Sequence, residues 1–208
     1  MKRYLFFALL ALLAVAPLGA QAPAGWKMRV DRSMNASDPD MAGTIKFVTM
    51  GSGFHATNPQ ASVYWNPANT ATGSYTLKGT FKLVKTTGYG EYFGLVFGGS
   101  GLEGAGQKYL YFMVNSDGNW LVKSRDGSGT SQVAASDGPS PAVNKAGADG
   151  TSTNALEVHV GADKIEFLVN GKVVNSTPKA AQKTDGTYGI RVNHMLEVQV
   201  DGFAVAKQ

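Results

Sequence analysis

Residues 90–125 constrain the fold more than any other part of the sequence. Three runs, 91–97 (EYFGLVF), 107–114 (QKYLYFMV) and 119–125 (NWLVKSR), are rich in aromatic and β-branched residues and are bounded by glycine turns. That composition suits strands on a pleated, half-buried surface. At the second junction, Asn115-Ser116-Asp117-Gly118 sets Asp-Gly between two apolar runs, which predicts a type I′ hairpin. Three consecutive antiparallel strands follow.

The rest of the chain repeats this grammar. Residues 74–84 alternate Tyr75, Leu77, Gly79, Phe81 and Leu83 with Thr76, Lys78, Thr80 and Lys82, one face apolar and the other wet. Asn170-Gly171 links 164–169 to 172–174 with the strongest short hairpin signal. Further strands are expected at 26–30, 44–50, 54–57, 61–65, 155–160, 188–192 and 195–206, with a short one at 132–134. Asn66-Pro67 is expected to end the 61–65 strand. No amphipathic helical pattern appears after residue 20, so the sequence predicts an all-β, antiparallel two-sheet sandwich or jelly roll.

Residues 1–20 carry Lys2 and Arg3, an apolar run over 5–16, and the small residues Gly19 and Ala20. This is the pattern of a secretory signal, with cleavage expected after Ala20 or Ala22, and the run is shorter than the about 20 residues a membrane span needs. Residues 23–208 are then expected to form one exported β-sandwich domain, periplasmic or extracellular, with no membrane span after cleavage. The chain has no cysteine, so export brings no disulfides and the core must hold the fold. Loss of Lys2 and Arg3 lowers the formal charge from +4 to +2. The remaining basic residues are scattered singly, which argues against a nucleic-acid partner.

Two loops invite chemical readings. Asp31, Asn35, Asp38 and Asp40 in the polar stretch 31–43 are weak calcium candidates, since hard cations take several oxygens, but EF-hand spacing is absent and a solvated loop with Asx turns is the simpler expectation. The glycine-rich stretch 98–106 lacks the Lys-Ser/Thr ending of a phosphate cradle and reads as a loop between strands. His55, His159 and His194 lack metal-site spacing, so no metal or other cofactor is expected beyond that calcium candidate.

Residues 154–158 (NALEV) with 165–172 (IEFLVNGK), then 186–192 and a closing strand ending Val200-Asp201-Gly202-Phe203, resemble concanavalin A-like sandwiches. The similarity is greatest to the 3-keto-disaccharide hydrolase group, formerly of unknown function, and its secreted bacterial relatives, with Gly189-Ile190-Arg191 matching a terminal Gly-x-Arg strand. The resemblance spans most of residues 74–207 and implies the fold before any activity. The Glu-x-Asp-x-x-Glu triplet of family 16 glucanases is missing. Glu157, His159 and Glu166 alternate across a turn, and no two carboxyls are placed by sequence at glycosidase separation.

A sugar site needs aromatic area for the apolar sugar face and fixed polar groups for its hydroxyls. Strand parity puts Tyr109 and Tyr111 on the face opposite Leu110, Phe112 and Val114, near Lys123 and Arg125. Trp65, Asn66, Glu91, Tyr92, Trp120, Arg191, Asn193 and His194 complete the candidate set for a carbohydrate ligand. The first reading is a lectin-like, noncatalytic domain binding glycan on this aromatic and basic face. The alternatives are a glycoside or 3-keto-glycoside hydrolase using Glu91 or His194 with Arg191, and an envelope protein whose sheet face meets a partner chain. The oligomeric state is not encoded in these patterns.

Overall fold

The computed structural model describes residues 22–31, 41–86, 88–133 and 137–207. The leader expected over 1–20, and the calcium candidates Asp38 and Asp40, lie outside the described residues. The strands are β1 (Lys27–Val30), β2 (Lys46–Met50), β3 (Gly53–Asn58), β4 (Ser62–Ala71), β5 (Tyr75–Thr86), β6 (Tyr92–Ser100), β7 (Lys108–Asn115) and β8 (Asn119–Asp126). They continue with β9 (Gly129–Gln132), β10 (Gly138–Pro139), β11 (Ser152–Val160), β12 (Lys164–Val169), β13 (Lys172–Pro178), β14 (Gly186–Val192) and β15 (Leu196–Lys207). A 3-10 turn at Lys179–Ala181 precedes β14, and no α-helix occurs among the described residues.

Two antiparallel sheets result. The first runs β1-β4-β14-β6-β7-β8-β10, with β9 also on β8, and the second runs β13-β12-β11-β5-β15-β3-β2. Between them lies the main core. The alternation in β5 is realised: Tyr75, Leu77, Phe81 and Leu83 are buried, while Lys78 and Lys82 face out. Phe93, Leu95 and Phe97 of β6, Leu110, Phe112 and Val114 of β7, and Leu156, Val158, Phe167 and Val169 of β11 and β12 fill the layer. Full burial of each such side chain is worth about 1.5–3 kcal/mol. Trp26, just before β1, sets its ring 5.3 Å from Phe47, 4.5 Å from Phe54 and 5.7 Å from Phe203, so the start of the first sheet is packed onto the second.

Local expectations needed correction in four places. Asn66-Pro67 does not end its strand, because β4 continues to Ala71. Pro67 lies beyond the residues that pair with β1, and on the other side β14 shifts register between Thr187 and Gly189, so no ladder donor is missed there. The Asp-Gly junction is not type I′. Only Gly118 has positive φ, at 88°, and Asn115 Oδ1 makes the turn by accepting the N–H groups of Asp117 and Asn119 at 3.0 and 2.9 Å. At the other hairpin both residues are left-handed, Asn170 at 51° and Gly171 at 76°, as a type I′ turn requires. Lastly, β6 runs on through Gly98 and Gly99, and the short strand expected at 132–134 lies instead at Gly129–Gln132.

Candidate ligand site

The outer face of the first sheet is set by the same alternation that builds the core. In β7, Tyr109, Tyr111 and Met113 turn away from Leu110, Phe112 and Val114. They join Val63 and Trp65 of β4, Val96 of β6, Leu121 of β8 and Leu102 in a second apolar cluster. This face is not an open platform. Tyr109, Tyr111 and Trp65 are 2, 5 and 4% exposed, so the aromatic surface expected to meet a sugar is largely covered. Leu102 packs onto it from the loop after β6, and Glu103 and the Gly104 carbonyl of that loop bond Lys27 and Arg29 of β1.

Asp31 organises the polar part of this face. Its backbone N–H donates to Ala61 O at 2.8 Å, extending the β1–β4 ladder by one residue, and its side chain is 1% exposed. Arg125 Nη2 lies 2.8 Å from Asp31 Oδ1, and Gln107 Nε2 donates to the same oxygen at 3.0 Å. Arg191 Nη1 and the Tyr109 hydroxyl both donate to Oδ2. The reading of Asp31 as part of a solvated loop is overturned: its side chain is buried, and both oxygens accept from cationic or neutral donors. The loop pattern gave no warning, since the partners come from β7, β8 and β14.

The donors are themselves held. Arg125 Nε donates to Gly127 O at 2.8 Å, and Arg191 Nη1 donates to the Tyr109 hydroxyl at 2.6 Å while its guanidinium lies 5.3 Å from the centre of the Tyr111 ring. Burial pushes the Arg191 guanidinium down to about 10, which still leaves it charged at neutral pH. Burial likewise pushes the Tyr111 phenol up to about 12 and the Tyr109 phenol higher, so both stay protonated.

A groove of about 360 Å³ opens beside this cluster, lined by Arg29, Val30, Asp31, Ala105, Arg125, Gly127 and Ser128. The opposite flank of the same loop borders a second hollow of about 440 Å³ that includes Trp65, Leu102 and Thr187. Arg29 and the short-side-chain residues Ala105, Gly127 and Ser128 were not singled out in the sequence. The sequence signalled Ala105, Gly127 and Ser128 only through the turn chemistry of two glycine-rich connections, and Arg29 only through its place in the 26–30 strand.

A polar chain leads from Asp31 toward the end of β14. Arg191 Nε donates to Asn193 Oδ1 at 3.1 Å, Asn193 Nδ2 donates to Glu91 Oε2 at 3.1 Å, and His194 Nε2 lies 2.8 Å from Glu91 Oε1. His194 is buried, and the Glu91 side chain is 19% exposed.

Comparison with known structures adds the fold. Over 88% of this chain and 96% of the other, the protein superposes on the carbohydrate-binding module CBM66 from Bacillus subtilis with a TM-score of 0.65 at 10% identity. A protein of unknown function with a galectin-like fold from Bacillus subtilis gives 0.62 at 14% identity, covering 88% and 89% of the two chains. A family 7 alginate lyase gives 0.51 at 12% identity, covering 88% and 95%. The fold is a concanavalin A-like jelly roll. No family model matches the sequence, and no curated protein matches it.

Within this jelly roll the expected site residues divide into three groups. Tyr109, Arg125 and Arg191 meet at Asp31, with Tyr111 against Arg191. Glu91, Asn193 and His194 meet one another and reach that cluster through Arg191. Trp65 borders the second hollow, and Lys123 pairs across from Tyr111 and stays half-buried. Asn66 belongs to none of these, because its Oδ1 accepts Ala68 N at 3.0 Å and its Nδ2 donates to Ala24 O at 3.4 Å, closing a local turn. His55 and His159 lie on the second sheet, each beside a glutamate, and no metal-holding group of three ligands occurs among the described residues.

Proposed function

We propose that this protein is an exported, carbohydrate-binding jelly roll whose ligand enters the groove beside Asp31 and is bound without being turned over. One observation carries the reading: the Arg125–Asp31–Arg191 cluster, fixed from both sides and nearly closed to water, presents Asp31 and Arg125 in the wall of an open groove, with Arg191 behind them. Buried ion clusters are weak contributors to stability, since desolvation offsets their attraction. Rigid hydrogen bonders beside a groove are what selective recognition of hydroxyls requires. The superposition on CBM66 supports the same class of ligand, and the N-terminal signal pattern supports export.

The carboxylates favour binding over hydrolysis. Glycosidases need two free carboxyls about 5–9.5 Å apart, one of them able to exchange a proton. Asp31 has both oxygens engaged, and Glu91 is held by Asn193 and His194. A hydrolase acting on glycosides or 3-keto-glycosides is the second reading, favoured by the Glu91 side chain, which at 19% exposed still reaches solvent.

A glycan array probed with the purified protein, with and without calcium, tests the proposal. Ala105→Trp, at an exposed position in the groove wall, is expected to abolish binding while the melting temperature holds. A folded protein that binds no glycan, or binds equally well with the groove filled, overturns it. Turnover of 3-keto-glycosides that is lost in Glu91→Gln would establish the second reading instead.

A further inference from the structure

The charges at the groove do not cancel. Among the described residues, Arg29 and Arg125 line it with Asp31, and Arg191 stands immediately behind Asp31 on its other oxygen. Two guanidinium groups therefore share one carboxylate, and the third, Arg29, lines the groove beside them. The Arg125 and Arg191 side chains are 9 and 10% exposed, so this excess positive charge is poorly hydrated. A cation shut from water without a full complement of anions is costly, and a bound anion relieves that cost.

The shape of the groove specifies the anion further. Arg125 directs Nε to Gly127 O and Nη2 to Asp31 Oδ1, both at 2.8 Å, which locks its plane. Arg29, also lining the groove, is anchored through the Gly104 carbonyl. Planar guanidinium groups held in this way match the two oxygens of a carboxylate better than an isolated lysine would. The other walls are Ala105, Gly127 and Ser128, whose small side chains allow close approach of a ring. About 360 Å³ is at the small end of ligand sites, suited to one sugar unit and not to a long stretch of polymer.

Resting on the glycan-binding reading above, we propose that the groove recognises an acidic sugar, with the carboxylate of a hexuronate unit seated between Arg29 and Arg125.

The test is calorimetric titration of the purified full-length protein with three oligosaccharide sets of equal length: hexuronates, the same chains with their carboxyls reduced to alcohols, and sulfated neutral chains. The hexuronates are expected to bind, carboxyl reduction to weaken binding at least tenfold, and added salt to weaken only the acidic ligand. Arg29→Gln, at the half-buried groove rim, is expected to weaken hexuronate binding about tenfold and binding of the reduced chains by less, so that the preference for the acidic chains shrinks. Arg125→Lys keeps the charge that balances Asp31 but removes the planar fork, and is expected to weaken hexuronate binding with the fold retained. Equal affinity for acidic and reduced chains overturns the acidic-sugar inference and leaves glycan binding intact. Preference for the sulfated set, or an Arg29→Gln variant that binds hexuronate as tightly as the parent, also overturns it. A folded protein that binds none of the three sets overturns both readings.

Discussion

Arg125 and Asp31 form a 2.8 Å ion pair whose side chains are only 9 and 1% exposed, joining a residue at the end of β1 to one in β8. Asp31→Asn removes the single described carboxylate that faces Arg125 and Arg191. Breaking a buried ion pair from one side costs about 3–5 kcal/mol, because the remaining charges stay desolvated. Urea unfolding at neutral pH should show that loss, and a change below 1 kcal/mol would mean that the cluster is well hydrated.

Gly189 is a second fixed point. A Cβ there would lie 2.1 Å from Tyr64 O and 3.2 Å from Trp65 Cα, so β14 can lie against β4 at this register only without a side chain. Gly189→Ala is expected to cost about 1–3 kcal/mol or more by forcing the two strands apart. Thermal melting measures this, and an unchanged melting temperature would show that the strands yield freely.

Alkaline titration should expose the buried phenols. Burial raises the Tyr64, Tyr75 and Tyr109 phenols well above 10, and the Tyr111 phenol to about 12. Above pH 10 the unfolded chain releases these protons while the native state keeps them, so stability falls as pH rises. Ultraviolet absorbance of phenolate should therefore rise in step with loss of near-ultraviolet circular dichroism. Complete phenolate formation in a protein that is still folded would contradict the burial of these rings.

Asp137 offers the opposite test among carboxylates. Burial raises its pKa, more than its hydrogen bond from Val122 N and the charge on Lys123 lower it. In the window above 3.8 the native state holds the proton more tightly than the unfolded chain, so ionisation of Asp137 lowers stability as pH rises through its native pKa. Asp137→Asn, which retains an acceptor for Val122 N, should raise the melting temperature at pH 7 and lose that advantage below about pH 4. Equal gains at both pH values would assign the effect to something other than charge.

Much of the architecture was legible because it depends on period and turn chemistry. The alternation in β5, the opposed faces of Tyr109 and Leu110, and Asn170-Gly171 are local facts, and local facts survive in a one-dimensional reading. The ligand-site candidates Tyr109, Arg125 and Arg191 were chosen on the same basis. Asp31 was misread because its environment is made by three strands distant in sequence, and nothing nearby signals that a carboxylate in a polar stretch is buried. The covering of Tyr109, Tyr111 and Trp65 escaped notice for a related reason. Parity tells which way a side chain points but not what lies above it. Pro67 misled because a proline ends a strand only where its missing N–H would have met a partner.

The order of strands in the second sheet also governs how the chain can acquire its shape. β15, the last strand in the sequence, lies between β5 and β3 and pairs with both. Until it arrives, the β2–β3 hairpin has no neighbour in that sheet, and β5 presents an unpaired edge. As the chain emerges from the N-terminus, β13-β12-β11-β5 can assemble before β15 is present, but the β2–β3 hairpin cannot join them, so the second sheet closes only when β15 is in place. Such a long-range closure predicts slow folding, in the millisecond-to-second range of non-local β topologies, and an intermediate whose open edges invite pairing with other chains.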